Sequence, residues 1–204
     1  CEEHASTRIV RDMENDPLGV PAGLWGQMKD TGLLAMMLPE QYGGIGLDML
    51  DRAVIYHELG RALAPGPHFV SSVMGALAIQ AGGSEEQKGR LLPAIGSGEL
   101  IVTPAWLEPD NGFGAAGVQL RAAATPEGYR LSGVKRHVFY ARAAQKLIGG
   151  RVRRQILRVV VAGIVGEVPV VGAVVDVELP VVTRRAVAAP AVERVADLGE
   201  LGCR

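Results

Sequence analysis

Three glycines in four positions, Gly43, Gly44 and Gly46, follow the run Leu38-Pro39-Glu40-Gln41-Tyr42 and stand just before a long helical pattern. Glycine tolerates positive φ and lets backbones approach closely, so this segment is a shaped turn and not a floppy linker. It sets the angle between the apolar run at 33–38 and the helix behind it. The spacing is neither a Walker nor a dinucleotide pattern, which favours a structural turn over a phosphate cradle.

Helical signals surround the turn. The charged residues 2–14 suit a short surface helix. Pro21 fits the first turn of a second helix, which ends at Thr31-Gly32. Asp48 can cap a third, running to about Ala64, with Leu50, Val54, Ile55, Leu59, Ala62 and Leu63 at helical spacing and Arg52, Glu58 and Arg61 between them. Pro65-Gly66-Pro67 stops it. Residues 69–81 are apolar nearly all round, the mark of a buried helix. Ser84-Glu85-Glu86-Gln87 is a capping box, and the helix it opens reaches Pro93.

After Gly98 the period becomes extended. Strands are expected at 100–106, 118–124, 129–131 and 134–140, with Pro126-Glu127-Gly128 turning the second into the third. This makes an α+β chain: an N-terminal helical domain at 1–97 and a partial antiparallel β domain at 98–144. From Gln145 the composition shifts. Val supplies roughly a quarter of residues 145–204, and no aromatic residue follows Tyr140. Runs such as Val159-Val160-Val161 can pair as strands, yet no consistent face emerges. Local and global signals disagree there, which argues against a well-specified fold. The composition is that expected of a frame change in GC-rich coding DNA.

Several function classes are disfavoured. The net charge of the 204 residues is −1, with no basic stripe for nucleic acid in the first two thirds. Arginines 153, 154 and 158 read equally well as a random basic excess or as attracting anions. Cys1 and Cys203 form no zinc spacing or disulfide framework, and the four histidines are too scattered for a metal cluster. The apolar run 159–182 is broken by charges and prolines, unlike a membrane span. The chain starts with Cys and shows no signal-peptide pattern, so a cytoplasmic protein, clipped at its start, is expected. An apolar fraction of 48% suffices for a core.

The ordered set carries a resemblance. Pro39-Glu40-Gln41-Tyr42-Gly43-Gly44-Ile45-Gly46-Leu47, then Glu58-Leu59-Gly60-Arg61, Gly83-Ser84-Glu85-Glu86-Gln87-Lys88, Leu91-Leu92-Pro93 and Gly96-Ser97-Gly98-Glu99 resemble the N-terminal helical domain of acyl-CoA dehydrogenases. Gly128-Tyr129-Arg130-Leu131-Ser132-Gly133-Val134-Lys135 resembles the start of that family's middle β domain. The likeness covers about residues 19–144. It implies FAD-dependent α,β-dehydrogenation of an acyl-CoA thioester, in which a carboxylate removes the α proton and the flavin accepts hydride. It also implies acyl-CoA as substrate and a homo- or hetero-oligomer when complete.

Carried to these residues, the resemblance places Trp106, Leu107, Gly112, His137 and Phe139 against the flavin. Glu108, Pro109, Gly112 and Lys135 match the family pattern. The hydroxyl residues usual at two flavin positions are replaced by Leu107 and Phe113, a Trp by His137, and a Thr by Phe139. That leaves main-chain groups around Trp106 and Leu107 for the work. The family's catalytic Glu lies in a C-terminal four-helix domain that nothing after Ala144 resembles. No catalytic residue is therefore assigned, and the chain alone is expected to be inactive. A non-catalytic product, or a partner subunit supplying scaffold and part of a flavin pocket, is the alternative. Glu108 reads as a turn or capping residue, and His57 as a packed or surface histidine.

Overall fold

The computed structural model describes residues 3–109, 112, 115–125, 128–132, 134–153, 156–163, 170–171, 174–176 and 193–194, with side chains of 115, of 121–133 and of 150 onward not described. The expected turn at Pro126-Glu127, Phe113, Gly133 and the side chains of arginines 153, 154 and 158 lie outside these residues.

Five α-helices form the N-terminal part: α1 (Thr7–Glu14), α2 (Ala22–Asp30), α3 (Met49–Arg61), α4 (Ala76–Gly82) and α5 (Glu85–Gly96). A π-helix, Phe69–Gly75, runs directly into α4. Local chemistry sets the helix starts. Asp48 accepts from the Leu50 and Asp51 amides and Asp51 reaches back, closing a capping box on α3. Ser84 and Gln87 close a second on α5, at 3.2 and 2.9 Å. Pro21 sits at the N-cap of α2, one position before the expected first turn. The α5 helix continues past Pro93 to Gly96. Pro93 is solvent-exposed, so the hydrogen bond it cannot make is left to water, while Leu91, Leu92 and Ile95 anchor the buried side.

The glycine turn folds back on its own apolar run. The Gly46 amide donates to the Leu38 carbonyl at 3.0 Å, and the Leu47 amide to Met36 at 2.9 Å. Gly43 and Gly46 have φ of 82° and 68°. A Cβ at Gly44 would overlap the Leu38 carbonyl, so the turn requires glycine there. Tyr42 then donates to Glu85 at 2.9 Å, tying the turn to the start of α5.

Among the described residues nine strands follow: β1 (Val102–Ala105), β2 (Arg121–Thr125), β3 (Gly128–Ser132), β4 (Val134–Arg136), β5 (Lys146–Arg153), β6 (Ile156–Gly163), β7 (Val170–Val171), β8 (Val174–Asp176) and β9 (Glu193–Arg194). One sheet runs β3-β2-β5-β6-β9 with β1 also on β5, and another runs β4-β8-β7. The expected all-antiparallel arrangement needs correction. β1 and β2 both pair parallel to β5, whereas β2–β3 and β5–β6 are antiparallel. The change of composition at Gln145 does not interrupt the sheet. Gln145 bonds Ile101 through both its amide and its side chain, and β5 begins at the next residue.

The core joins both parts. Leu38, Ala76, Ile79, Leu91, Leu92, Ile95, Val102 and Ile148 form one buried cluster. Each large side chain there contributes about 1.5–3 kcal/mol. A Cβ at Gly75 would overlap Val102, so the helix lies directly on β1, and Ser71 Oγ accepts from the Val102 amide at 3.1 Å. A second cluster gathers Ala5, Leu24, Met28, Leu34 and Leu59.

The face of α3 differs from the expectation. Leu50, Val54 and Leu63 are exposed, and the helix instead buries Arg52 and Leu59, with Ile55, Tyr56 and Ala62 half-buried. Residues 52, 55, 56, 59 and 62 also recur at helical spacing, so α3 offers two candidate faces. Leu59 packing into the second cluster selects the one carrying Arg52.

Candidate functional site

The two segments expected to face a flavin lie side by side. The first leaves the end of β1 as Trp106-Leu107-Glu108. The second leaves β4 at Arg136 and turns, where extended backbone is expected through residue 140. His137 and Tyr140 have φ of 52° and 53°, a left-handed conformation strained for residues with a Cβ. Main-chain and side-chain bonds hold the turn. The Arg136 amide donates to the Leu107 carbonyl at 2.8 Å, and Thr103 Oγ1 donates to the Phe139 carbonyl at 2.7 Å. Tyr140 accepts from the Gly66 amide at 2.9 Å, which links the turn to the loop before the π-helix.

A buried ion pair stitches the two segments. Lys135 Nζ lies 2.6 Å from Glu108 Oε1 and 3.3 Å from the Trp106 carbonyl. Glu108 also accepts from the Gln119 and Leu120 amides, at 2.8 and 3.0 Å. Both side chains are buried, and both Glu108 oxygens are satisfied. Burial by itself would raise the Glu108 carboxyl. The Lys135 ammonium and the two amides outweigh that and hold it below the ordinary glutamate range. Glu108 is thus a structural clamp across this edge. Its burial, and the choice of Lys135 as its partner across the fold, were invisible in the spacing.

Around the clamp, Trp106 is 41% exposed and Phe139 67% exposed, and His137 and Gly112 are also open to solvent. Leu107 is half-buried. The structure therefore brings Trp106, Leu107, His137 and Phe139 to one edge, with Gly112 further along the first segment. The carbonyls of Trp106 and Leu107 are already engaged by Lys135 and Arg136, so each has one lone pair left for a ligand. His57 is an exposed residue beside Glu58. Among the described residues, no group of three His, Cys, Asp or Glu could hold a metal, and no helix is long and apolar enough to cross a membrane.

Comparison with known proteins identifies what residues 1–99 match. The family described as "Acyl-CoA dehydrogenase, N-terminal domain" matches residues 1–99. Residues 1–99 are an acyl-CoA dehydrogenase N-terminal domain. A "Probable acyl-CoA dehydrogenase" of Bacillus subtilis is 36% identical over 135 residues, covering 63% of this chain and 22% of that protein. A solved structure, the "Tcur3481-Tcur3483 steroid ACAD G363A variant", superposes with a TM-score of 0.70 at 31% identity, over 79% of this chain and 44% of that one. An acyl-CoA dehydrogenase from Bacillus anthracis complexed with FAD gives 0.60 at 31% identity, over 69% and 25%. The chain spans less than half the length of these relatives.

Proposed function

We propose that this chain contributes the scaffold and one flavin-facing edge of an FAD-dependent acyl-CoA dehydrogenase. The observation that carries the reading is the juxtaposition of two segments, clamped together by Glu108 and Lys135, that each carry an exposed aromatic side chain, Trp106 and Phe139. Their exposed faces fit one side of a flat aromatic ring system, and His137 adds an exposed polar ring beside them. When bound, FAD would supply the hydride-accepting chemistry. The chain's own part is to orient it. Trp106 and Phe139 supply apolar contact, the main chain at 106–107 hydrogen bonding, and the Glu108–Lys135 pair the rigidity that keeps the edge in place.

A second reading is favoured by what the edge lacks. Leu107 and Phe139 offer no side-chain hydroxyl where the family resemblance implies one. A chain of this kind suits a non-catalytic subunit that completes a flavin pocket with a full-length partner. No residue described here takes the role of the family's base, so the chain alone is proposed to be inactive toward acyl-CoA.

The experiment is an assay of acyl-CoA oxidation by the purified chain with added FAD and an artificial electron acceptor. The expected result is no turnover, and clear turnover would sink the proposal of inactivity. Co-expression with a complete dehydrogenase subunit separates the two readings. Flavin absorbance that co-elutes only with the complex supports the partner-subunit reading, while flavin retained by the chain alone supports the first.

A further inference from the structure

Away from the edge proposed to face a flavin, Arg52 and Tyr56 of α3 adjoin His68 inside the helical part, and buried Ser72 follows His68 in the π-helix. Arg52 and Tyr56 lie one turn apart on α3. His68 and Ser72 lie one turn apart where the π-helix begins. The two pairs meet where the Tyr56 and His68 rings touch, tilted by 48° with centroids 4.8 Å apart and the Tyr56 hydroxyl 3.3 Å from His68 Nδ1. The Arg52 charge acts on both rings.

These groups are enclosed and short of acceptors. Arg52 is 1% exposed, His68 5% and Ser72 0%. Arg52 Nε, Nη1 and Nη2, His68 Nε2 and Ser72 Oγ lack a hydrogen bond of good geometry, the Tyr56 hydroxyl being the polar group beside the guanidinium. Burial, and then the neighbouring guanidinium, push His68 down to about 4, so its ring is neutral at physiological pH. In the tautomer in which the Tyr56 hydroxyl donates to Nδ1, the ring proton sits on Nε2. The acidic residues of α3 are committed elsewhere: Asp51 closes the capping box, and Glu58 bonds Arg61 at 2.9 Å. A buried guanidinium without an acceptor is costly, and such sites are stable when an anion is present.

We propose that Arg52, His68 and Ser72 form a buried binding site for the carboxylate of a small organic acid. The guanidinium fork matches the two oxygens of a carboxylate, which a spherical halide cannot reproduce. The imidazole N–H and the serine hydroxyl supply the remaining donors. Enclosure restricts the occupant to a carboxylate with little bulk beside it. The inference does not rest on flavin binding.

The test is thermal unfolding of the chain in sodium formate, sodium glutarate and sodium chloride at equal ionic strength. The expected result is a saturable rise of about 3–5 °C over chloride in formate, in glutarate or in both. A shift with formate alone identifies a free small acid. A shift with glutarate identifies a carboxylate accepted at the end of a carbon chain. Arg52→Met abolishes the shift. Ser72→Ala, a milder change that keeps the test decisive if Arg52→Met fails to fold, weakens the apparent affinity about 5–10-fold. Equal midpoints in all three salts, a full shift in Arg52→Met, or unchanged affinity in Ser72→Ala would overturn the proposal.

Discussion

Among the described residues two cationic side chains are buried, and their surroundings are opposite. Lys135, in the β part, lies against Glu108 and the Trp106 carbonyl, and Glu108 is itself held by two amides. Arg52, in the helical part, is as deeply buried, has the Tyr56 hydroxyl beside it, and has no carboxylate against it among the described residues. The contrast teaches that a buried charge has no fixed meaning. Where its partners are complete, as at Lys135, it locks two segments in register. Where they are missing, as at Arg52, it marks a place for something else.

The sharpest way to break the comparison is to unpair the clamp. Glu108→Leu leaves Lys135 buried without its counter-ion and should cost about 3–5 kcal/mol in urea unfolding. A loss under about 1 kcal/mol would mean the pair is not buried as described. The acid limb of the same clamp follows from its sign. Glu108 titrates lower folded than unfolded, so its contribution is present above the ordinary glutamate pKa of about 4.3 and disappears as pH falls through the lower folded value. Glu108→Gln should flatten stability against pH in that window.

His68 sharpens the other half. Its folded pKa of about 4 lies below the unfolded value of about 6.5, so the folded state binds fewer protons between them. Stability is full above about 6.5 and falls as pH drops toward 4, by on the order of 2–3 kcal/mol. His68→Asn should remove that slope, measured by urea midpoints at a series of pH values.

Smaller effects come from the local devices. Gly44→Ala drives a methyl into the Leu38 carbonyl and should cost about 1–3 kcal/mol. Ser84→Ala removes one bond of the α5 capping box and should cost about 1 kcal/mol. Thermal midpoints of the two variants rank them, and a Gly44→Ala protein as stable as the parent would contradict the close approach.

These last two features were legible in the sequence because their partners are near in the chain. The Asp48 cap, the Ser84–Gln87 box and the glycine turn are read from residues within eight positions of one another. The faces of α3 were not, because Leu50 and Val54 recur with the same period as Ile55 and Leu59. Only packing against Leu24, Met28 and Leu34 chooses between them. The edge proposed to face a flavin was half legible. The resemblance named both segments, yet their contact depends on bonds between Leu107 and Arg136 and between Thr103 and Phe139. The turn at His137–Tyr140 was hidden by β-favouring residues, Val138, Phe139 and Tyr140, that continue the strand pattern.

The central claim is that the two buried cations are opposites, and a single urea titration in chloride buffer tests it. Arg52→Met removes an unpaired buried charge and should stabilise the chain by about 1–3 kcal/mol, whereas Lys135→Met strips Glu108 of its partner and should destabilise it by a similar or larger amount. Opposite signs are the expected result. Losses of the same size in both variants would contradict the account.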